Sequence, residues 1–177
     1  MDFDRPVDLH ELRDVPGLLP SWAGVLEEAG CVCLDGEGHG GAAELAIVGD
    51  DDIQMYLTYS HPDDLTVANH RDTNVATEHG ACGVALLLCR LLKGHGLVSQ
   101  ALQEEGVDYW VGEAEEGRPF NKKARLEASG IRRGNRPDVD SRFSEKLKTT
   151  AKSGGTYDVV IAVVEFSQPL ARVETKP

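Results

Sequence analysis

The sequence lacks the segments that would direct a protein to a membrane. It contains no run of about 18 apolar residues, the length needed to span a bilayer. Its first residues, MDFDRPVDLHELRD, are acidic and polar and do not contain the apolar core of a signal peptide. We therefore expect a cytoplasmic protein with no membrane span.

The sequence also lacks the usual spacings of metal-binding and phosphate-binding motifs. Cys31 and Cys33 are spaced as on one strand face, and Cys82 and Cys89 as on one helix face, so neither pair has the C-x₂-C spacing of a zinc site. The six histidines are scattered along the chain. The glycine-rich stretch 35–41 is not followed by the Lys-Ser or Lys-Thr of a phosphate loop. Buried, reduced thiols are the expected state of the cysteines.

The charge of the chain is unevenly distributed. The 177 residues carry a net charge of −12, which alone argues against binding to nucleic acid. Residues 118–152, however, hold eleven Lys or Arg and only four Asp or Glu, a local charge of +7 that leaves −19 on the rest. Because screening in salt limits charge effects to about 10 Å, such a segment can bind phosphates on an otherwise acidic protein. A solvated basic surface is the alternative interpretation.

The first 71 residues are predicted to form a small N-terminal appendage. Ser21 is a suitable cap for a helix that ends at Gly30. Alternating or apolar runs then predict an antiparallel meander with strands at residues 30–34, 42–48 and 52–59. The polar stretch 60–71 is the expected linker to a core domain at residues 72–177.

The core is predicted to follow the order helix, strand, strand, strand, helix, strand, which places the chain in the α/β (α+β) class. Asp72 or Thr73 caps the first helix and Gly94 ends it. The last strand is apolar almost throughout, as expected of a strand buried on both faces. The tail from Ser167 is expected to be loose. The predicted elements are helix 74–93, strands 97–102, 106–112 and 123–131, helix 139–152, and strand 157–166.

The hairpin at residues 106–131 carries the main chemical signal. A turn centred between Gly117 and Arg118 places Asp108 opposite Glu127. Like charges in that position repel, so the pair calls for a bound cation, for nearby basic groups, or for a register that arose by chance. Two carboxylates on rigid strands suit Mg²⁺ or Mn²⁺, which can activate water for attack on a phosphate. Alternation adds Ser129 and Lys123 to the same face.

These features resemble the PD-(D/E)XK, or restriction-endonuclease-like, nuclease superfamily over about residues 72–167. Asp108 is similar to the aspartate of the second core strand of the family, and Glu127-Ala128-Ser129 is similar to its (D/E)-X-K tripeptide. Glu78 is placed like the acid that many members carry on the first core helix. The resemblance implies a restriction-endonuclease-like αβββαβ core and a metal-dependent nuclease, with Mg²⁺ or Mn²⁺ held by Asp108 and Glu127 and with Glu78 assisting.

The chain departs from the family pattern at two positions. Val107 stands where the motif has proline, and Ser129 stands where it has the catalytic lysine. Lys123, or Lys146 on the following helix, is expected to supply the missing charge. The residues expected to contact nucleic acid are Arg125, Arg132, Arg133, Arg136 and Arg142.

The first hypothesis is therefore a nuclease that cleaves nucleic acid, with DNA the expected form, alone or as part of a DNA-processing or defence system. A homodimer or a partner subunit is expected. A second hypothesis, motivated by Ser129, is a catalytically inactive member that binds nucleic acid or a protein. A third is a scaffolding protein that docks its partner through residues 1–70.

Overall fold

The computed structural model describes residues 6–113, 121–152 and 156–177, and forms a mixed α/β structure. The α/β class predicted from the sequence is thereby confirmed. Short 3₁₀ helices occupy Leu9–Asp14 and Gln103–Glu105. The helices are α1 (Pro20–Gly36), α2 (Asp64–Asn69), α3 (Thr73–Lys93) and α4 (Arg136–Lys152). The strands are β1 (Val7–Asp8), β2 (Ala42–Gly49), β3 (Ile53–Thr58), β4 (Gly96–Gln100), β5 (Tyr109–Gly112), β6 (Ala124–Ile131), β7 (Asp158–Glu165) and β8 (Leu170–Lys176).

All eight strands belong to one mixed sheet with the order β1-β3-β2-β8-β7-β6-β5-β4. β4, β5 and β6 form an antiparallel meander, and β7 lies parallel to β6. β8 is antiparallel to β7 and parallel to β2, so it joins the two halves of the sheet. The described elements from α3 to β7 follow the predicted order of helix, three strands, helix and strand.

The C-terminal tail is not loose, and this prediction was wrong. Ala171 and Val173 point into the core and are almost fully buried. Arg172, between them, lies 4.1 Å from the centre of the Phe143 ring and pairs with Asp140 at 2.8 Å. The alternation of apolar and charged residues is that of a strand with one face on the core and the other under α4.

The insertion of β8 changes the expected division of the chain at residue 71. One hydrophobic cluster contains Val7 and Leu45 from the predicted appendage together with Leu86 and Val164 from the predicted core. α1 also packs along α3. The appendage therefore shares both its sheet and its core with residues 72–177 and does not form a separate meander.

The predicted strand at residues 30–34 is instead the second half of α1. Gly30 was expected to end the helix, but it lies where α1 crosses α3. A Cβ on Gly80 would come within 3.1 Å of the Gly30 Cα. The two glycines allow close helix packing, which offsets a cost of roughly 1 kcal/mol for glycine inside a helix. The four cysteines are free, and Cys31, Cys33 and Cys89 are buried, as expected of reduced thiols.

Helix α3 confirms the predicted start and end. The Asp72 side chain accepts hydrogen bonds from the amides of Asn74 and Val75 at 3.0 and 3.2 Å, and Gly94 ends the helix with a φ of +70°. The helix is long and apolar enough to cross a membrane by those two criteria alone, but 61% of its apolar window is buried inside the protein. Its apolar surface is that of a core helix.

Replacing Val173 with Ala tests the position of β8. Removing two buried methyl groups should lower the free energy of unfolding by about 2 kcal/mol. Gln168→Ala, at an exposed position in the same tail, should leave it unchanged. Urea unfolding curves of both variants give the comparison. Equal stability of Val173→Ala and the wild type would contradict a buried central strand.

Candidate active site

The hairpin of β5 and β6 has the predicted register. Tyr109 pairs with Leu126, Trp110 with Arg125, and Val111 with Ala124. The predicted turn at Gly117 and Arg118 lies outside the described residues. The register brings Asp108, just before β5, beside the middle of β6.

Asp108 is held by the backbone of the neighbouring strand. Its amide donates to the Leu126 carbonyl at 2.9 Å, and its Oδ2 accepts from the Ala128 amide at 2.7 Å. Burial raises the pKa of Asp108 above its ordinary 3.8, and the negative charge of Glu78 raises it further, whereas the Ala128 hydrogen bond and Lys146 act in the opposite direction. Asp108 is thus fixed in place in a setting that disfavours its ionised form.

Glu127 is the buried partner of Asp108. The residue is 7% exposed, and its Oε1 accepts from the Lys146 Nζ at 2.6 Å. Burial raises the pKa of Glu127 above 4.5, and the charge of Asp108 adds to this rise, while Lys146 lowers it. The two carboxylates are therefore close enough to repel each other, and one lysine offsets part of that repulsion.

Two positively charged side chains of α4 contact two residues of β6. Lys146 contacts Glu127, and Arg142 Nη1 donates to the Ser129 hydroxyl at 3.0 Å. Residues four apart on a helix are separated by about 6 Å along its axis. Alternate strand residues are separated by about 7 Å. The spacings agree, so the Ser129 hydroxyl lies against the Arg142 guanidinium.

Two clefts flank this group of side chains. The acid-pair cleft has a volume of about 450 Å³ and is lined by Asp108 and Glu127, with Thr149 of α4 on its rim. The arginine cleft has a volume of about 810 Å³ and is lined by Glu37, Glu78, Arg132, Arg133 and Arg142, among others. Arg142 of the arginine cleft donates to Ser129, which is two residues from Glu127 on β6.

Two of the predicted site residues lie apart from the acid pair. Lys123 is exposed, and its nearest described carboxylate is that of Glu113 at 3.9 Å. Glu78 is exposed on α3 and affects Asp108 through its charge. No group of three or more His, Cys, Asp or Glu side chains able to share a metal ion occurs within residues 6–113, 121–152 and 156–177.

Asp108 and Glu127 nevertheless suit a hard cation. Both supply carboxylate oxygens, and a cation between them would offset the charge of Asp108, which raises the pKa of Glu127, and would favour the ionised form of both acids against burial. Mg²⁺ commonly binds through one or two carboxylates and completes its shell with water and substrate phosphate. The pair therefore fits Mg²⁺ or Mn²⁺ without a third carboxylate.

The arginines predicted to bind nucleic acid have different roles. Arg125 is 6% exposed and donates to the Tyr157 carbonyl at 3.0 Å, so it lies in the interior rather than on a binding surface. Arg136 is exposed and pairs with Asp140 on its own helix at 3.4 Å. Arg132 and Arg133 both contact Glu37 at 2.7 Å.

Glu37 is a site residue that sequence reasoning missed. It lies in the glycine-rich stretch after α1, and the arginines that it contacts are more than ninety positions away in the chain. Its side chain is 6% exposed, although the surrounding sequence is typical of a surface turn. No local spacing could have indicated this contact.

Comparisons of the chain with protein-family models, with curated proteins and with solved structures find no match in any of the three.

Replacing Asp108 with Asn should stabilise the protein in the absence of divalent metal. The raised pKa means that the folded state binds the proton of Asp108 more tightly than the unfolded state, so stability falls as pH rises through the folded pKa. Asn retains an oxygen for the Ala128 amide and removes the repulsion with Glu127. We expect a gain of up to about 1 kcal/mol at neutral pH, shrinking as the pH is lowered.

Urea unfolding in EDTA measures this effect, with Asp52→Asn, at an exposed turn, as the matched control. If Asp108→Asn is less stable than the wild type at neutral pH, the ionised carboxylate of Asp108 stabilises the folded state, which would contradict this prediction.

Proposed function

We propose that the protein is a metal-dependent nuclease that hydrolyses nucleic-acid phosphodiesters, with DNA the expected substrate. The observation that carries this proposal is the pair of carboxylates of half-buried Asp108 and buried Glu127, with the Lys146 ammonium 2.6 Å from Glu127. Proteins rarely bury like charges together unless the site has a function.

The fold supports the proposal independently of the site. The order α3-β4-β5-β6-α4-β7 agrees with the αβββαβ order of restriction-endonuclease-like nucleases. Asp108 adjoins the second of these strands, and Glu127 and Ser129 lie on the third. The remaining strands, β1, β2, β3 and β8, extend the sheet beyond β7.

Each residue of the site has its own role in the proposed hydrolysis. Asp108 and Glu127 would hold Mg²⁺ or Mn²⁺. When bound, the ion lowers the pKa of a coordinated water and polarises the phosphate. Lys146 places a positive charge where the negative charge of the phosphorane-like transition state develops. Arg142, one helical turn away and held by Ser129, adds a second cation on the same side.

The arrangement accounts for the serine in the lysine position. A lysine on β6 would project its ammonium from position 129, whereas here α4 supplies Lys146 from above the strand. The second hypothesis, an inactive nucleic-acid-binding member, is favoured by the fact that Lys146 already pairs with Glu127. The two hypotheses differ in whether Lys146 variants alter a chemical step.

Incubation of the protein with plasmid, linear and single-stranded DNA and with RNA, in Mg²⁺ or Mn²⁺, tests the proposal. Asp108→Ala and Glu127→Ala should abolish cleavage. Lys146→Met should lower kcat by roughly 10²- to 10³-fold, the usual effect of removing one electrostatic contact to a transition state. Lys148→Met, an exposed position on the same helix, is the matched control. Cleavage that is equal in all five proteins would identify a contaminating nuclease and refute the proposal.

The pH dependence of Mn²⁺ binding gives a test that does not require turnover. Carboxylates bind metal when deprotonated, so affinity should fall as the pH drops through the raised pKa values of Asp108 and Glu127. Because Lys146 lowers both pKa values, Lys146→Met should move this loss of affinity to higher pH. Calorimetric titration at a series of pH values measures the shift. A purely structural Lys146 would leave the profile in place.

A further inference from the structure

The arginine cleft has a volume of about 810 Å³, and hydrolysis alone does not explain its function. It lies between the end of α1, the first turns of α3, the end of β6 and α4. Three guanidinium groups and two carboxylates line it. One of those carboxylates, Glu37, is already bound by two of the arginines.

Glu37 and Arg132 form the fixed floor of the cleft. The Glu37 side chain is 6% exposed and accepts from the Nε of Arg132 and of Arg133, each at 2.7 Å. Arg132 Nη2 also donates to the Val32 carbonyl at 3.1 Å. These bonds orient both guanidinium groups. The guanidinium of Arg132 is turned toward the protein interior by its contacts with Glu37 and Val32.

Arg133 is held in position by Glu37 through its Nε atom alone. Its side chain is 75% exposed and contacts Glu37 through Nε. Its two terminal nitrogens have no hydrogen-bond partner among the residues that the structure describes. Arg142 likewise bonds Ser129 through Nη1 alone, and its Nε lies 3.7 Å from Glu145. The cleft therefore presents outward-facing guanidinium donors that are held in place by bonds made elsewhere.

The cleft is connected to the acid pair. Ser129, which holds Arg142, is two residues from Glu127 on β6. Glu78 lines the cleft, and its charge raises the pKa of Asp108. Strand β6 runs from Glu127 toward the cleft and ends at Ile131, a distance of roughly 13 Å at about 3.3 Å per residue. A polymer lying across the acid pair can thus extend into the cleft.

We propose that the arginine cleft is a second phosphate-binding site, which takes a backbone phosphodiester of the nucleic acid a few nucleotides from the phosphate at the acid pair. The identity of the ligand rests on the proposed nuclease function. The planar fork of Arg133 matches the two non-bridging oxygens of a phosphodiester, a bidentate geometry that a lysine ammonium cannot reproduce. Glu37 acts as a positioning residue that presents this fork.

Binding of a fluorescently labelled DNA, as duplex and as single strand, tests the proposal when measured by anisotropy in EDTA. Arg133→Gln should weaken binding about tenfold at low salt and reduce the slope of log Kd against log salt concentration by about 1. Arg133→Lys retains the charge, so it should keep the slope and lose part of the affinity. Circular dichroism checks that each variant is folded.

Two matched controls separate a site from a general positive surface. Lys148→Gln removes an exposed charge of the same basic segment, and Arg90→Gln removes one near the far end of α3. Both should bind nearly as the wild type does. A loss in Lys148→Gln as large as in Arg133→Gln would show diffuse attraction and overturn the site.

Competition by inorganic phosphate distinguishes the ligand sources. Nucleic-acid recognition predicts that millimolar phosphate competes weakly. Tight, Arg133-dependent binding of phosphate without measurable DNA binding would overturn the assignment to a polymer. The outcomes also separate the two proposals. A wild type that cleaves DNA while Arg133→Gln binds normally refutes the cleft alone, and a wild type that never cleaves while Arg133→Gln loses binding refutes the nuclease alone.

Discussion

The ion pair between Lys146 and Glu127 is the contact on which the site depends. Two neighbouring carboxylates on the inner part of a sheet repel each other, and burial increases the cost of ionising either one. Lys146 is the described cation that contacts the pair directly, and it lowers the pKa of both acids. It therefore makes the buried acid pair compatible with a folded protein.

The sheet holds these side chains in place. β6 lies between β5 and β7, and its two faces contact different hydrophobic clusters, one formed largely with α1 and α3 and the other with α4. Glu127 and Ser129 face α4, where Lys146 and Arg142 meet them. Because β8 ties β7 to β2, the first three strands support the same framework rather than forming a separate unit. A site on rigid strands keeps its geometry better than one on loops.

Local signals in the sequence were sufficient where one residue type has one structural role. Asp72 and Gly94 delimit α3, and the alternation in the hairpin predicted a register that is confirmed at three pairs. The prediction that Gly30 ends α1 was wrong, because a glycine that ends a helix and a glycine that allows two helices to approach look alike in sequence. β8 was missed because its charged residues resemble a loose tail until Asp140 and Phe143, more than twenty residues away, are brought beside Arg172.

Contacts between distant residues account for the rest of what the sequence could not predict. Lys146 and Lys123 were both predicted to lie near the acid pair, and the packing of α4 on β6 brings Lys146, and not Lys123, into contact with Glu127. Glu37 had no signal, because its role depends on the position of Arg132 and Arg133 after folding. The identity of the buried charges was thus predictable from strand alternation, and the identity of their partners was not.

Diffraction from crystals containing Mn²⁺ tests the central claim most directly, because the anomalous signal of Mn²⁺ locates the ion without reference to activity. The account predicts a peak coordinated by both Asp108 and Glu127, with the Lys146 ammonium moved away from the Glu127 oxygen. Crystals in which Mn²⁺ binds elsewhere, while Lys146 remains on Glu127 at saturating metal, would contradict it.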